Sequence, residues 1–202
     1  MVCHSGTGLV PLVDGKLHHF SAGGLYNGLV LLIDDETRTY WDHITGEAVH
    51  GPLKGTRLET FPLQVTTVEA ALGRNPGLTI SQSKPGLLGK AMSWIGKNPF
   101  KTPGFFPPKF RGTMGAKDKR LPEMERGLGV VLEGRETFYP HSAISAGIVD
   151  DVNGRALRIA VDPADKVPFA EWVDNNERPM QLFTRWYGFA FTYPETTIFE
   201  NR

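Results

Sequence analysis

Thiol, imidazole and carboxylate side chains gather in the first quarter of this chain. Cys3 precedes His4, and His43, Glu47 and His50 surround a Thr45-Gly46-Glu47 turn. If that turn brings its two imidazoles and its carboxylate against Cys3, the four residues offer nitrogen, oxygen and sulfur donors to one ion. Such a donor set suits a transition metal such as zinc or copper. Neither His-x-Glu-x-His nor His-Glu-x-x-His spacing is present, so the competing reading is a pair of turn histidines bonded to backbone. His18 and His19 are consecutive on an expected strand. Their side chains then leave opposite faces, at most one points inward, and the two do not easily share an ion. A second constellation, Tyr26, Asn27, Trp41 and Thr45 with His141, would make a pocket floor rimmed by polar groups. Its competitor is plain packing, with Tyr26 and Trp41 anchoring a sheet and Asn27 satisfying turn backbone. Nucleophilic catalysis finds little support: Ser5-Gly6-Thr7-Gly8 is not a Gly-x-Ser-x-Gly elbow. No phosphate-binding loop or dinucleotide fingerprint is present either.

These residues need a scaffold, and the sequence reads as a β meander over residues 7–41. Strands are expected at 8–13, 16–22, 29–33 and 38–41, with turns at Asp14-Gly15, Gly23-Gly24 and Asp34-Asp35. Asp-Gly between apolar runs is a hairpin signal because both residues tolerate positive φ. A further strand at 58–66 leads into a short helix at 68–73. Beyond a long insert, strands at 127–132, 136–139, 148–149 and 156–161 resume the pattern, with a short helix at 141–146. Strands at 180–185 and 197–200 flank a short aromatic helix at 186–191. Pro76-Gly77-Leu78-Thr79-Ile80 and Pro194-Glu195-Thr196-Thr197-Ile198 each follow a short helix, which suggests two related lobes. The expected fold is α+β, mostly β: a lobe over 1–81, an insert over 82–118 and an α+β lobe over 119–202, or one composite domain.

Hydrophobic residues make up 40% of the 202 and charged residues 22%, values ordinary for a globular protein. No apolar run reaches the roughly 18 residues that span a bilayer. No signal peptide is visible after Met1. Cys3 is the single cysteine, which excludes an internal disulfide framework and leaves the redox compartment open. The zero net charge hides an asymmetry. Nine Lys or Arg and one acid lie between Lys84 and Arg120, leaving 13 of the 22 basic and 21 of the 22 acidic residues elsewhere. Within the insert Leu87, Leu88, Ala91, Met92 and Ile95 fall at helical spacing beside Trp94, with Lys90 and Lys97 on other faces. That pattern suits contact with an anionic membrane surface. Phe100, Phe105, Phe106 and Phe110 could instead form a lid or stack on single-stranded nucleic acid, although no nucleic-acid motif is present. The bland alternative folds the insert over its own acidic body, its aromatics filling core gaps.

Several motifs together resemble the domain-of-unknown-function 3179 family. They are Leu25-Tyr26-Asn27, Trp41, Thr45-Gly46-Glu47-Ala48, Gly51 and Gly55. Further along come Arg120-Leu121-Pro122-Glu123, Glu125-Arg126-Gly127, Gly129-Val130, Tyr139-Pro140, Val149-Asp150-Asp151 with Gly154, and Tyr193-Pro194-Glu195-Thr196. The resemblance implies fold and context, not a reaction. It also implies a Cys-x-x-Cys pair of which Cys3 is the second member, serving as a metal half-site or redox dithiol. A counterpart of residues 129–161 is expected upstream of that pair. The expectation is therefore a chain shortened at its N-terminus, missing β structure, the first cysteine, and an export signal or membrane anchor. Three functional readings follow: a binding domain with a metal or thiol site, an enzyme of unknown reaction using the Tyr/Asn/Trp/His pocket, and an envelope-associated interaction protein using the basic insert.

Overall fold

A computed structural model describes residues 5–79 and 109–200. Cys3, His4, Ile80 and the insert through residue 108 lie outside the described residues, and with them the expected membrane-facing helix and Phe100, Phe105 and Phe106. The rest is α+β and mostly β, as expected. In the first half, β1 (Gly8–Leu9) pairs with β8 (Thr60–Phe61), and β2 (Leu12–Val13) pairs with β3 (Lys16–Leu17). A four-stranded antiparallel meander follows: β4 (Phe20–Tyr26), β5 (Leu29–Asp34), β6 (Tyr40–Asp42) and β7 (Ala48–His50). Helix α1 (Val68–Arg74) starts where the Thr67 hydroxyl accepts the Ala70 N–H.

The second half holds β9 (Arg126–Leu132), β10 (Arg135–Pro140), α2 (His141–Ile144), β11 (Ile148–Val152), β12 (Arg155–Val161), β13 (Pro168–Trp172), β14 (Met180–Arg185), α3 (Trp186–Thr192) and β15 (Thr197–Ile198). One sheet runs β14-β9-β10-β15, its last pair parallel, and another runs β11-β12-β13. Leu128, Val130 and Tyr139 of the first, with Ile144 of α2, pack with Val152, Leu157, Ile159 and Ala170 of the second. Helix α3 is apolar all round, which requires burial on every side. Its Trp186 and Phe189 join Phe138, Leu182 and, from the first half, Ile44. Its Tyr187 joins Leu29 and Phe110. The two halves thus share core through this helix, and Phe110 fills a core gap.

Turn chemistry explains where the meanders reverse. Asp14-Gly15, Asn27-Gly28 and Asn153-Gly154 all have positive φ at both positions, matching the two-residue hairpin loops they close. The next hairpin occurs twice with the same bonds. Asp34 accepts the Arg38 N–H and donates to Thr39, while Asp162 accepts the Lys166 N–H and donates to Val167; Arg38 and Lys166 both have positive φ. The third hairpin repeats as well, at Asp42–Gly46 with Glu47 and at Trp172–Asn176 with Glu177.

Several elements differ from the sequence expectation. Gly23-Gly24 is no turn but a bulge inside β4, because that strand continues to the stronger Asn27-Gly28 turn. A Cβ on Gly23 would lie 2.9 Å from the Ile33 Cβ, so close packing, not reversal, requires the glycine. The strand expected at 58–66 pairs only over Thr60–Phe61, ending at Pro62, which has no N–H for a ladder. Strand β13, which begins at Pro168, was not expected from the sequence. His18 and His19 sit in the connection between β3 and β4 rather than on a strand.

Candidate functional site

The acidic turn after β5 is the best-built polar feature among the described residues. Asp34 is fully buried. Its Oδ2 accepts the Trp41 indole N–H at 2.7 Å, and its Oδ1 accepts the Thr37 backbone N–H at 2.5 Å. The Thr37 hydroxyl lies 2.8 and 2.9 Å from the two oxygens. Burial pushes the Asp34 carboxyl up, yet the bonds from Trp41 and Thr37 and the neighbouring His18 outweigh it and hold the group below the usual carboxylate range.

His18 closes this arrangement from the β3–β4 connection. It is 7% exposed, and its Nδ1 is buried with no hydrogen-bond partner among the described residues. That nitrogen faces Asp34 Oδ1 at 3.6 Å and Glu36 Oε2 at 3.8 Å. These separations are too long for hydrogen bonds. Ligand atoms of His18, Asp34 and Glu36 all lie within 4.8 Å of one another. Glu36 is oriented in turn by His19, whose ring nitrogen lies 2.7 Å from Oε1 and whose backbone N–H donates to Oε2 at 2.9 Å. The His19 bonds lower the Glu36 carboxyl, and Glu36 raises the His19 imidazole. His18 points inward and His19 is 68% exposed, so one of the pair is internal, as the sequence suggested.

The residues singled out from sequence occupy other places. His43 is buried, and both of its ring nitrogens lack a partner among the described residues. Glu47 reaches outward to Arg57 at 3.2 Å. His50 is exposed beside the Tyr40 ring. Among the described residues His43, Glu47 and His50 do not form a group of converging ligand atoms; Cys3 lies outside that description. Of the five pocket candidates, Asn27 lines a cavity of about 410 Å³ with Lys117, Glu123 and Tyr187, and the other four do not. Trp41 is fully buried on Asp34, Tyr26 is 58% exposed, and Thr45 accepts the Glu47 N–H within its turn. His141 opens α2 in the second half. Tyr139 donates to Asp150 at 2.7 Å, and burial with that carboxylate pushes its phenol far up, so it serves as a fixed donor.

Comparison with known families bears on the whole chain. The model of DUF3179, described as a protein of unknown function, matches residues 2–197. The chain belongs to the DUF3179 family. No curated protein and no solved structure matches it. The motifs that carried the resemblance serve two purposes in this DUF3179 chain. Asn27, Gly46 and Gly154 form turns with positive φ, whereas Trp41 and Tyr139 are buried donors to the carboxylates of Asp34 and Asp150. No described helix is long and apolar enough to cross a membrane.

Proposed function

We propose that this DUF3179 chain is a binding domain that holds a divalent transition metal, zinc above all, between His18 Nδ1, Asp34 Oδ1 and Glu36 Oε2. One observation carries the reading: an imidazole nitrogen buried without a partner and aimed between two carboxylates. An unpaired buried polar atom costs about 1–3 kcal/mol, and a cation removes that cost. Zinc bonds of about 2.0–2.2 Å put neighbouring tetrahedral ligands roughly 3.3–3.6 Å apart. The 3.6 and 3.8 Å separations need only small side-chain movement to meet that geometry. The Thr37 hydroxyl has one proton; directed to Asp34 Oδ2, it leaves Oδ1 a lone pair for the ion. Glu36 is held by His19 in the way that outer partners orient metal ligands.

The matching turn of the second half adds support. There Asp162 and Asp165 receive the Arg74 guanidinium at 2.6 and 3.2 Å. One turn therefore carries a tethered cation, and its equivalent presents carboxylates and an imidazole with no such guanidinium among the described residues. The related two-lobe organisation expected from sequence belongs to the same proposal.

Calorimetric titration of zinc into chelator-stripped protein is the test. One equivalent should bind, and His18→Ala should remove it, while His43→Ala and Cys3→Ser leave it intact. Binding that survives His18→Ala, or no binding in the wild type, would falsify the assignment. Loss on His43→Ala or Cys3→Ser alone would move the ion to the Cys3, His43, Glu47 and His50 set.

A further inference from the structure

A separate cleft lies between the two halves. After β8 the chain runs against the second half as an arm without regular secondary structure, and Leu63 and Val65 remain 44% and 42% exposed. This arm is clamped at its far end, where the Thr66 hydroxyl donates to Asp165 at 2.6 Å and Arg74 bridges Asp162 and Asp165. Under the arm is a cleft of about 260 Å³, walled by Leu63, Val65, Phe169 and Phe183 and carrying Arg178 and Asp162. Two features give it chemistry. The Arg178 guanidinium lies 4.5 Å from the Phe169 ring centre, a stacked position that fixes the cation, and it has no ion pair among the described residues. Asp162 and Asp165 share the single cation of Arg74, so the opposite charge is in surplus on that side. A cleft with one free cation, surplus anion and apolar walls matches a small zwitterion with an apolar side chain.

We infer that this cleft binds a free apolar α-amino acid, its carboxylate on Arg178, its ammonium toward Asp162, and its side chain against Leu63, Val65 and Phe183. The cleft is smaller than the roughly 300–1,000 Å³ of drug-sized sites. Its volume leaves room for an amino acid of leucine's size with a few waters beside it. A guanidinium such as that of Arg178 binds a carboxylate more favourably than a lysine would, because its planar fork matches the two oxygens.

The experiment is a titration of the full chain, followed by amide NMR shifts and calorimetry, with three probes. Leucine carries both charges, 4-methylpentanoate lacks the ammonium, and 3-methylbutylamine lacks the carboxylate. Leucine should saturate shifts at residues 63–65 and 178–183 with Kd at or below about 1 mM. Each single-charge analogue should bind at least about tenfold more weakly, and Arg178→Gln should weaken leucine by a similar factor. Arg178 is exposed, so that variant should keep its unfolding temperature, which is measured alongside. No saturable leucine binding, equal binding of 4-methylpentanoate, or an unchanged Arg178→Gln variant each overturns the inference. The metal reading is independent, since His18→Ala protein in chelator should bind leucine unchanged.

Discussion

Replacing Asp34 by Asn removes one charge and almost no volume, so it isolates what the buried carboxylate contributes. Asp34 accepts from Trp41 on one oxygen and from the Thr37 backbone on the other, with the Thr37 hydroxyl between. An Asn side chain has one carbonyl and can satisfy one of these N–H groups, leaving its amide hydrogens against the other. Loss of a hydrogen bond to a charged group costs about 1.5–3 kcal/mol. The surviving bond, no longer charge-assisted, keeps roughly half its strength. The expected destabilisation is about 3 kcal/mol at pH 7. For a chain of this size that lowers Tm by roughly 6–12 °C. Urea unfolding followed by tryptophan fluorescence gives the free energy directly. The pH dependence checks the cause. The folded carboxyl titrates below its unfolded value, so its contribution is complete above about pH 4 and disappears as pH falls through the folded value. The gap between wild type and Asp34→Asn should therefore close in acid. A loss below about 1 kcal/mol, or a gap constant from pH 7 down to pH 2, would refute the reasoning.

Other substitutions probe the same physical account. Glu36→Gln should return the raised His19 imidazole toward its ordinary value in a proton NMR titration, because Glu36 is the leading cause of the shift. An unchanged titration would remove Glu36 from that role. Gly129→Ala would place a Cβ 2.1 Å from the Phe189 ring, between β9 and α3. Overpacking of this kind costs about 1–3 kcal/mol, and thermal unfolding should show it. Arg74→Met should release α1 from the Asp162 and Asp165 turn. Arg74 is partly exposed, so solvent screening limits the loss to about 1–2 kcal/mol. The lowered carboxyl of Asp165, which also relies on Thr66 and the Val167 N–H, should rise; carbon-detected titration of aspartates would register no change if Arg74 were irrelevant.

The sequence carried local information well and distant pairing poorly. Asp14-Gly15 announced its hairpin because positive φ is a property of those two residues alone. Gly23-Gly24 misled because a glycine in a strand and a glycine in a turn look alike until the neighbour appears, here Ile33 and Tyr40. One ring of His18 and His19 is internal, but the strand alternation expected for them is absent, since both lie in the β3–β4 connection. Nothing local tied that ring to Asp34 and Glu36, which reach it by folding β5 back along β4. His43 drew attention by its nearness to Glu47 in sequence, yet Glu47 turns away to Arg57. Trp41 was legible as an anchor, but its role as the indole donor to Asp34 depends on the turn that brings the two together.

Helix α3 has a practical consequence for anyone who wishes to divide this molecule. Because Ile44 and Leu29 of the first half are sealed against Trp186, Phe189 and Tyr187, the halves are joined by an interior surface as well as by peptide bonds. A nick between residues 80 and 108 should therefore leave two pieces held together by that surface, which size-exclusion chromatography of the cleaved protein would check. Produced separately, each would expose one side of that seam and be prone to clump. Fused to the fragments of a reporter enzyme, the same pieces would make a complementation pair whose affinity is tuned by trimming Ile44.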